Sequence, residues 1–299
     1  MLRTALLAAS RSPRVRALVE RGPTRAIVTR FVAGTTVDDV LAVVHELVTD
    51  RLVTVDHLGE NVTDRAGARA TVGEYRVLLA RLRDAGLADR VEVSVKLSAL
   101  GQSLDRDAQA ITLEHARAVC VAAASAGTTV TVDMEDHTTT DATLATVRAL
   151  RADFPWVGAV VQAQLRRAEA DCRELAHPGS RVRLCKGAYD EPGSVAYRDP
   201  DDVRAAFARC LDVLAVGGGL PMVATHDPAM IALARTREPR ELQMLYGVRP
   251  RAQQELAAEG ERVRVYLPYG TDWYAYFMRR LAERPANVTF FLRSLLTRG

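Results

Sequence analysis

The sequence has no stretch approaching about 18 apolar residues free of charge, so no segment can cross a bilayer as a helix. Aromatic residues make up only 5% of the chain, which leaves little material for a base-stacking nucleic-acid surface. Cysteine is scarce and scattered. Cys120, Cys172, Cys185 and Cys210 contain no C-x-x-C pair, which argues against a cysteine zinc site and a disulfide framework and points to a reducing compartment. An excess of one charge is missing too: 40 basic and 37 acidic side chains leave +3 over 299 residues. No broad phosphate-binding face follows from that balance, and nucleic acid is not an expected partner. Neither G-x-G-x-x-G nor G-x-x-x-x-G-K-[ST] occurs. Lysine is nearly absent. Against an all-arginine background, Lys96 and Lys186 stand out as positions where an ammonium group has been kept.

What is present is a chain of 48% hydrophobic and 26% charged residues, the proportions of a folded globular protein rather than a disordered one. Residues 1–37 carry seven arginines and a single acid, Glu20. That bias resembles a mitochondrial transit peptide. Apolar spacing at Ala17–Val19 and from Ile27 to Val32 continues into a helical pattern over Val37 to Leu47, and favours basic amphipathic helices instead. We therefore divide the chain into an N-terminal helical segment, 1–50, and a catalytic domain, 51–299.

Eight β-like runs follow: Leu52–Val55, Val91–Leu97, Thr128–Asp133, Gly158–Gln162, Arg181–Cys185, Pro221–Thr225, Glu241–Leu245 and Arg262–Leu267. Helical periodicity fills the gaps, as at Ile111–Ala124, Asp141–Ala152, Asp201–Val216 and Gln253–Ala258. Strands alternating with helices imply parallel pairing, and eight such units favour an α/β fold of the (βα)8 TIM-barrel type. Gly217-Gly218-Gly219 reads as a helix stop before the sixth strand.

Active sites of such barrels form at the C-terminal strand ends. Those ends carry Asp56 and His57, Lys96 and Ser98, Asp133 and Glu135, Gln162 and Gln164, Arg183, Lys186 and Tyr189, Thr225 and His226, Tyr246 and Tyr266. Packing alone does not explain so many polar groups, since buried charges need partners or a ligand. Two sites can be built from them. Asp133, Glu135 and His137, with His57 and His226, could bind a metal, as in a metal-dependent barrel hydrolase, although the His-x-His pair common on the first strand is absent. Alternatively Lys96, Arg183, Lys186 and the pair Arg279-Arg280 face an anionic cofactor and an acidic substrate. A non-catalytic flavin-binding sensor is a further alternative.

The neighbouring sequence favours the second site. Ser94-Val-Lys96-Leu-Ser98, Thr131-Val-Asp133-Met-Glu135-Asp, Val160-Val-Gln162-Ala, Arg183-Leu-Cys-Lys186-Gly187-Ala188-Tyr189, Ala224-Thr225-His226-Asp227, Gln243-Met-Leu-Tyr-Gly247, Tyr266-Leu-Pro-Tyr-Gly and Arg279-Arg280-Leu-Ala-Glu283-Arg-Pro-Ala-Asn287 resemble, in order, the motifs of monofunctional flavin-dependent proline dehydrogenases. The resemblance runs from about residue 30 to residue 295. It implies a distorted (βα)8 barrel with N-terminal helices, FAD across the strand C-termini and a C-terminal helix over the barrel mouth. It also implies oxidation of L-proline to Δ1-pyrroline-5-carboxylate by hydride transfer from the ring Cδ to flavin N5, the first step of proline catabolism to glutamate.

Carried over by motif, Arg279, Arg280 and Lys96 would bind the proline carboxylate and Glu283 would face its amine. Tyr266, Tyr189 and Leu245 would shape the ring pocket. Asp133 would hold the cationic cluster and Arg183 would sit near flavin N5, the two forming the catalytic pair. Met134 by its backbone, Gln162, Arg183, Lys186, Gly187, Ala188, Thr225 and His226 would contact the cofactor. No metal is implied. The electron acceptor would be a membrane quinone reached from the cytoplasm by transient peripheral contact, and a separate pyrroline-5-carboxylate dehydrogenase would act downstream. Asp190 stands where many relatives have tryptophan. The length leaves no room for the fused dehydrogenase or DNA-binding segment of many bacterial relatives.

Overall fold

Eight parallel strands alternate with helices through the residues that this computed structural model describes, 28–274 and 276–278. The strands are β1 Leu52–His57, β2 Val91–Val95, β3 Val130–Val132, β4 Ala159–Gln162, β5 Arg181–Cys185, β6 Leu220–Ala224, β7 Glu241–Leu245 and β8 Val263–Tyr269. Their order is β3-β2-β1-β8-β7-β6-β5-β4, so the first and last strands of the chain lie side by side. A parallel bridge between Thr131 and Gly158 joins the two ends and closes the barrel. Glycine is required at that seam: a Cβ on residue 158 would stand 2.6 Å from Thr131 Oγ1.

Helix α1 spans Val37–Leu47, α2 Arg65–Asp84, α3 Ala108–Ala126, α4 Thr140–Arg151, α5 Ala168–Leu175, α6 Pro200–Val216, α7 Pro228–Ala234 and α8 Pro250–Ala258. Local chemistry sets several of their starts. Thr36 and Asp39 form a reciprocal capping box on α1. Asp64, Asp199 and Asp227 cap α2, α6 and α7, and the last two are followed by proline in the first helical turn. Helix α6 stops at the expected glycine triplet, with Gly218 at φ +72.

All eight expected runs are strands, with shifted ends. β2 stops at Val95 because Leu97–Ala99 turns into a 3-10 helix, and β8 continues to Tyr269. Of the expected N-terminal segment, residues 1–27 lie outside the described residues, and so do Arg279, Arg280, Glu283 and the rest of the C-terminal helix. The start of that helix is described. Tyr274, Tyr276, Phe277 and Met278 pack with Phe31, Val32 and Leu58 in a small apolar cluster of their own.

Both faces of the barrel strands are covered, by unlike material. Val53, Val55, Val93 and Val95 of the outward parity belong to the main hydrophobic core. The opposite parity is polar and equally buried: Thr54, Glu92, Ser94, Thr131, Arg183, Glu241, Gln243 and Arg264. Thr54 donates to Glu92 at 2.7 Å, Arg264 to Glu241 at 2.7 Å, and Arg181 reaches Glu92 as well. Burial alone would raise the Glu92 carboxyl, but Arg181, Arg264 and Arg183 outweigh it and hold it well below the usual carboxylate range. Removing one member of a buried ionic set leaves its partners unpaired, at about 3–5 kcal/mol. We expect Glu92→Gln to lower unfolding stability by about that amount in urea titrations with an unchanged m-value. A loss under about 1 kcal/mol would mean that the barrel floor does not depend on this charge.

Candidate active site

The strand ends enclose a cavity of about 390 Å³, within the range of small-molecule sites. Its wall includes Lys96, Asp133, Met134, Arg183, Lys186, Gly187, Ala188, Tyr189, Thr225, His226, Leu245 and Tyr266, all expected from the sequence. Of the expected residues that are described, Gln162 is not on that wall. Its amide donates to the carbonyls of Met134 and Glu135 at 3.0 and 2.7 Å, bracing the turn after β3, while its Oε1 is buried without a hydrogen-bond partner among the described residues.

Asp133 is the centre of the cluster. It accepts from Arg183 Nη1 at 2.6 Å, Tyr266 at 2.7 Å, Ser94 at 2.8 Å and, at 3.4 Å, Lys96. Burial would raise its carboxyl, but Lys96 and Arg183 bring it below the ordinary value, so it remains an anion and does not act as a base. Arg183 is fixed from a second side by Gln243, which accepts from its Nε at 2.6 Å. Lys96 lies at 2.6 Å from Asp56, 3.2 Å from Tyr266 and 3.4 Å from Asp133. Burial works against its charge, and Asp56, Tyr266 and Asp133 prevail and keep it protonated. The rings and cations also stack, with Arg183 5.2 Å and Lys96 5.9 Å from the Tyr266 ring centroid.

Elsewhere on the wall, Lys186 pairs with Asp227 at 2.6 Å. Gly187 sits at φ +104, and a Cβ there would lie 2.4 Å from Gln164 Cδ. Gln164 in turn donates to the Tyr189 carbonyl at 3.2 Å and to the Lys186 carbonyl at 2.8 Å, so one side chain and its backbone shape the whole Lys186–Tyr189 turn. Thr225 accepts from the Asp227 amide at 3.1 Å, ahead of the helix that Asp227 caps. His226 Nε2 accepts from the Leu245 amide at 2.9 Å, which places the proton of a neutral ring on Nδ1. A second cavity of about 380 Å³ adjoins the first and shares Lys186, Gly187, Ala188 and Tyr189 with it.

The metal set considered from the sequence does not converge. Glu135 accepts from the Ser98 amide and hydroxyl, His137 pairs with Glu191, and Asp133 and His226 are engaged as above. Among the described residues no three His, Cys, Asp or Glu side chains are grouped to hold a metal ion. Two positions carry more than the sequence assigned to them. Asp56 lies under Lys96, and Gln243 fixes Arg183. Both sit on the inward parity of their strands, the one available signal.

A profile described as proline dehydrogenase matches residues 42–293. Proline dehydrogenase 1 of Bacillus subtilis strain 168 is 37% identical over 305 residues, 99% of this chain and 99% of its own length. The proline dehydrogenase of Deinococcus radiodurans is 37% identical over 307 residues, 99% of this chain and 98% of its own. Among solved structures, proline utilization A from Bdellovibrio bacteriovorus, inactivated by N-propargylglycine, superposes with a TM-score of 0.78 at 24% identity. That alignment covers 90% of this chain and 33% of the larger protein, and speaks to the fold.

The Lys186–Tyr189 turn offers a local check. Gly187→Ala should cost about 1–2 kcal/mol for the left-handed backbone, plus the collision with Gln164. In denaturant titrations, combining it with Gln164→Ala should recover part of that loss; strict additivity would remove the collision from the account.

Proposed function

Because the chain belongs to the proline dehydrogenase family, we propose that its barrel mouth binds FAD and L-proline and oxidises the amino acid to Δ1-pyrroline-5-carboxylate. The observation that carries this reading is the buried Lys96–Asp133–Arg183–Tyr266 cluster on the cavity wall. It places protonated cations and an aromatic ring together on the cavity wall, as a small ring bearing a carboxylate requires.

The residues present fit the cofactor. Two cavities joined along Lys186–Tyr189 suit an elongated dinucleotide, and Gln164, packed where a Cβ of Gly187 would stand, fixes the turn that borders both. Lys186 and the Gly187 and Ala188 backbone would hold its phosphates and ribityl chain. The Met134 backbone, Arg183, Thr225 and His226 would meet it along the wall, and Gln162 would offer the Oε1 that has no partner among the described residues. The chemistry this group supplies when bound is acceptance of the hydrogen and electron pair that leave proline Cδ.

Lys96 would take the substrate carboxylate, joined by Arg279 and Arg280, with Glu283 toward the amine. Its three protons already have three acceptors, so a substrate oxygen must displace one. The 3.4 Å contact to Asp133 yields most readily, because Asp133 keeps Arg183, Tyr266 and Ser94. Tyr189, Leu245 and Tyr266 would enclose the ring. Asp133 is held as an anion and His226 Nε2 is occupied, so neither takes the amine proton. Electrons would pass to a membrane quinone by peripheral contact from the cytoplasm, and a separate dehydrogenase would consume the product. Among the described residues no helix is long and apolar enough to cross a membrane.

The purified protein should be yellow and reduce a short-chain quinone with proline, faster than it reduces NAD or oxygen. A colourless protein with stoichiometric zinc would overturn the flavin assignment, and a tenfold preference for oxygen would make it an oxidase. Proline should be preferred over 4-hydroxyproline by tenfold to a hundredfold in kcat/KM, about 1–3 kcal/mol, because an added hydroxyl meets the filled Tyr266 wall. Tyr266→Ser should relax that preference while weakening proline binding. Equal kcat/KM for both substrates in the unaltered enzyme would refute this placement of Tyr266.

A further inference from the structure

A cavity of about 370 Å³ lies apart from the mouth, in the groove between α2 and α3, and shares no residue with the mouth lining. Arg65, Arg69, Gly73 and Arg76 face it from α2, at a spacing that puts them on one stripe of that helix. Glu114 and His115 face it from α3. Three guanidinium groups gathered round one hollow repel one another unless an anion lies between them.

An arginine-rich composition does not explain the gathering. Elsewhere on the surface arginines are paired: Arg81 with Asp38, Arg117 with Asp153, Arg148 with Glu174 and Arg173 with Glu169. Arg69 and Arg76 have no ion pair or hydrogen bond among the described residues, and neither has Glu114. Arg65 is oriented by Asp107, at 2.8 Å. Asp107 sits at φ +56 directly before α3, and its side chain does not cap that helix but accepts from Arg65 across the groove.

Two further observations point to a ligand. His115 is only 9% exposed, and its Nδ1 lies 2.8 Å from the Leu100 carbonyl. Nδ1 therefore carries a proton, and Nε2 is left for the groove, with no partner among the described residues. Gly73 stands in the interior of α2, where glycine weakens a helix. Packing does not require it, since a Cβ there would meet nothing within 4 Å. What the missing side chain provides is an open floor to the groove.

We propose that the α2–α3 groove binds a small phosphate monoester that also bears hydroxyl groups. Arg69 and Arg76, which are uncommitted, take the phosphoryl oxygens through their paired N–H donors, while Arg65 stays with Asp107 at the edge. His115 Nε2 accepts a ligand hydroxyl while the ring is neutral. Glu114 accepts from another, so the site suits a hydroxylated ester better than bare phosphate, which offers that carboxylate nothing. The volume is that of a small-molecule site. A soluble metabolite and a lipid headgroup present this same chemistry.

The test uses the full chain as purified. Calorimetry with glycerol 3-phosphate, and sedimentation with phosphatidylcholine vesicles containing phosphatidic acid, are run at about 0.15 M salt, where loose surface attraction is screened. Saturable binding is expected, weakened about tenfold by Arg69→Gln and by Arg76→Gln, since each removes a charge-assisted pair. Gly73→Leu should abolish it by filling the groove, with Tm unchanged or raised. If Gly73→Leu does not fold, the two arginine variants decide. A saturating proline analogue, tetrahydrofuran-2-carboxylate, should not compete, because groove and mouth share no residue. Binding of the soluble ester supports a metabolite site. Vesicle binding without it, lost in the same variants, supports the phosphoryl site with a lipid as its source. Binding of neither probe, binding unaffected by both arginine substitutions, or competition by the proline analogue overturns the proposal.

Discussion

The interaction on which the site depends is the Asp133 carboxylate held between Arg183 and Lys96 inside the barrel. Charges in such a place are tolerable only when paired and hydrogen-bonded, so these residues constrain one another. Asp133 requires Arg183, Arg183 requires Gln243 and Ser94, and Lys96 requires Asp56 and Tyr266. Those side chains come from β1, β2, β5, β7 and β8 and the turns after β2 and β3. Five strands must therefore keep their mutual register for the cluster to be satisfied.

The same logic extends downward. The inward parity continues into the Glu92, Arg264 and Glu241 layer, and Arg183 lies 3.5 Å from Glu92 Oε1. An interior of this kind gains little from burial of apolar area, since its hydrophobic stabilisation lies between strands and helices. It gains fixed geometry instead. Arg183 has donors committed on two sides, and its planar group has few alternatives once Asp133 and Gln243 are in place. A ligand entering the cavity meets groups already oriented, which lowers the cost of organising them on binding.

Along the Lys186–Tyr189 turn, backbone geometry dominates. Gly187, Gln164 and Asp227 shape a turn that presents main chain to the shared boundary of two cavities, and Asp227 both caps α7 and fixes Lys186. The mouth is thus shaped partly by paired charges and partly by main-chain conformation.

Much of this was legible in the residues themselves. Alternating strand and helix patterns and the glycine triplet before β6 are local signals, and each lies where expected. The polar strand ends, with the only two lysines among them, marked the site, and the order of motifs marked the family. Pairings were not legible. Asp56 and Lys96 are 40 residues apart, Arg183 and Gln243 60, and Lys96 and Tyr266 170. A period-two pattern separates the two faces of a strand, but here both faces are covered, one by helices and one by charged filling, so alternation does not say which face lines the barrel. Likewise the donation of the Gln162 amide to the Met134 and Glu135 carbonyls joins the end of β4 to the turn after β3, a pairing that no local pattern announces. The sequence by itself determined which elements form and which strand ends carry the polar groups of the mouth. Only the closed barrel decided who pairs with whom, since strand register and closure bring distant carboxylates and cations to within hydrogen-bonding distance.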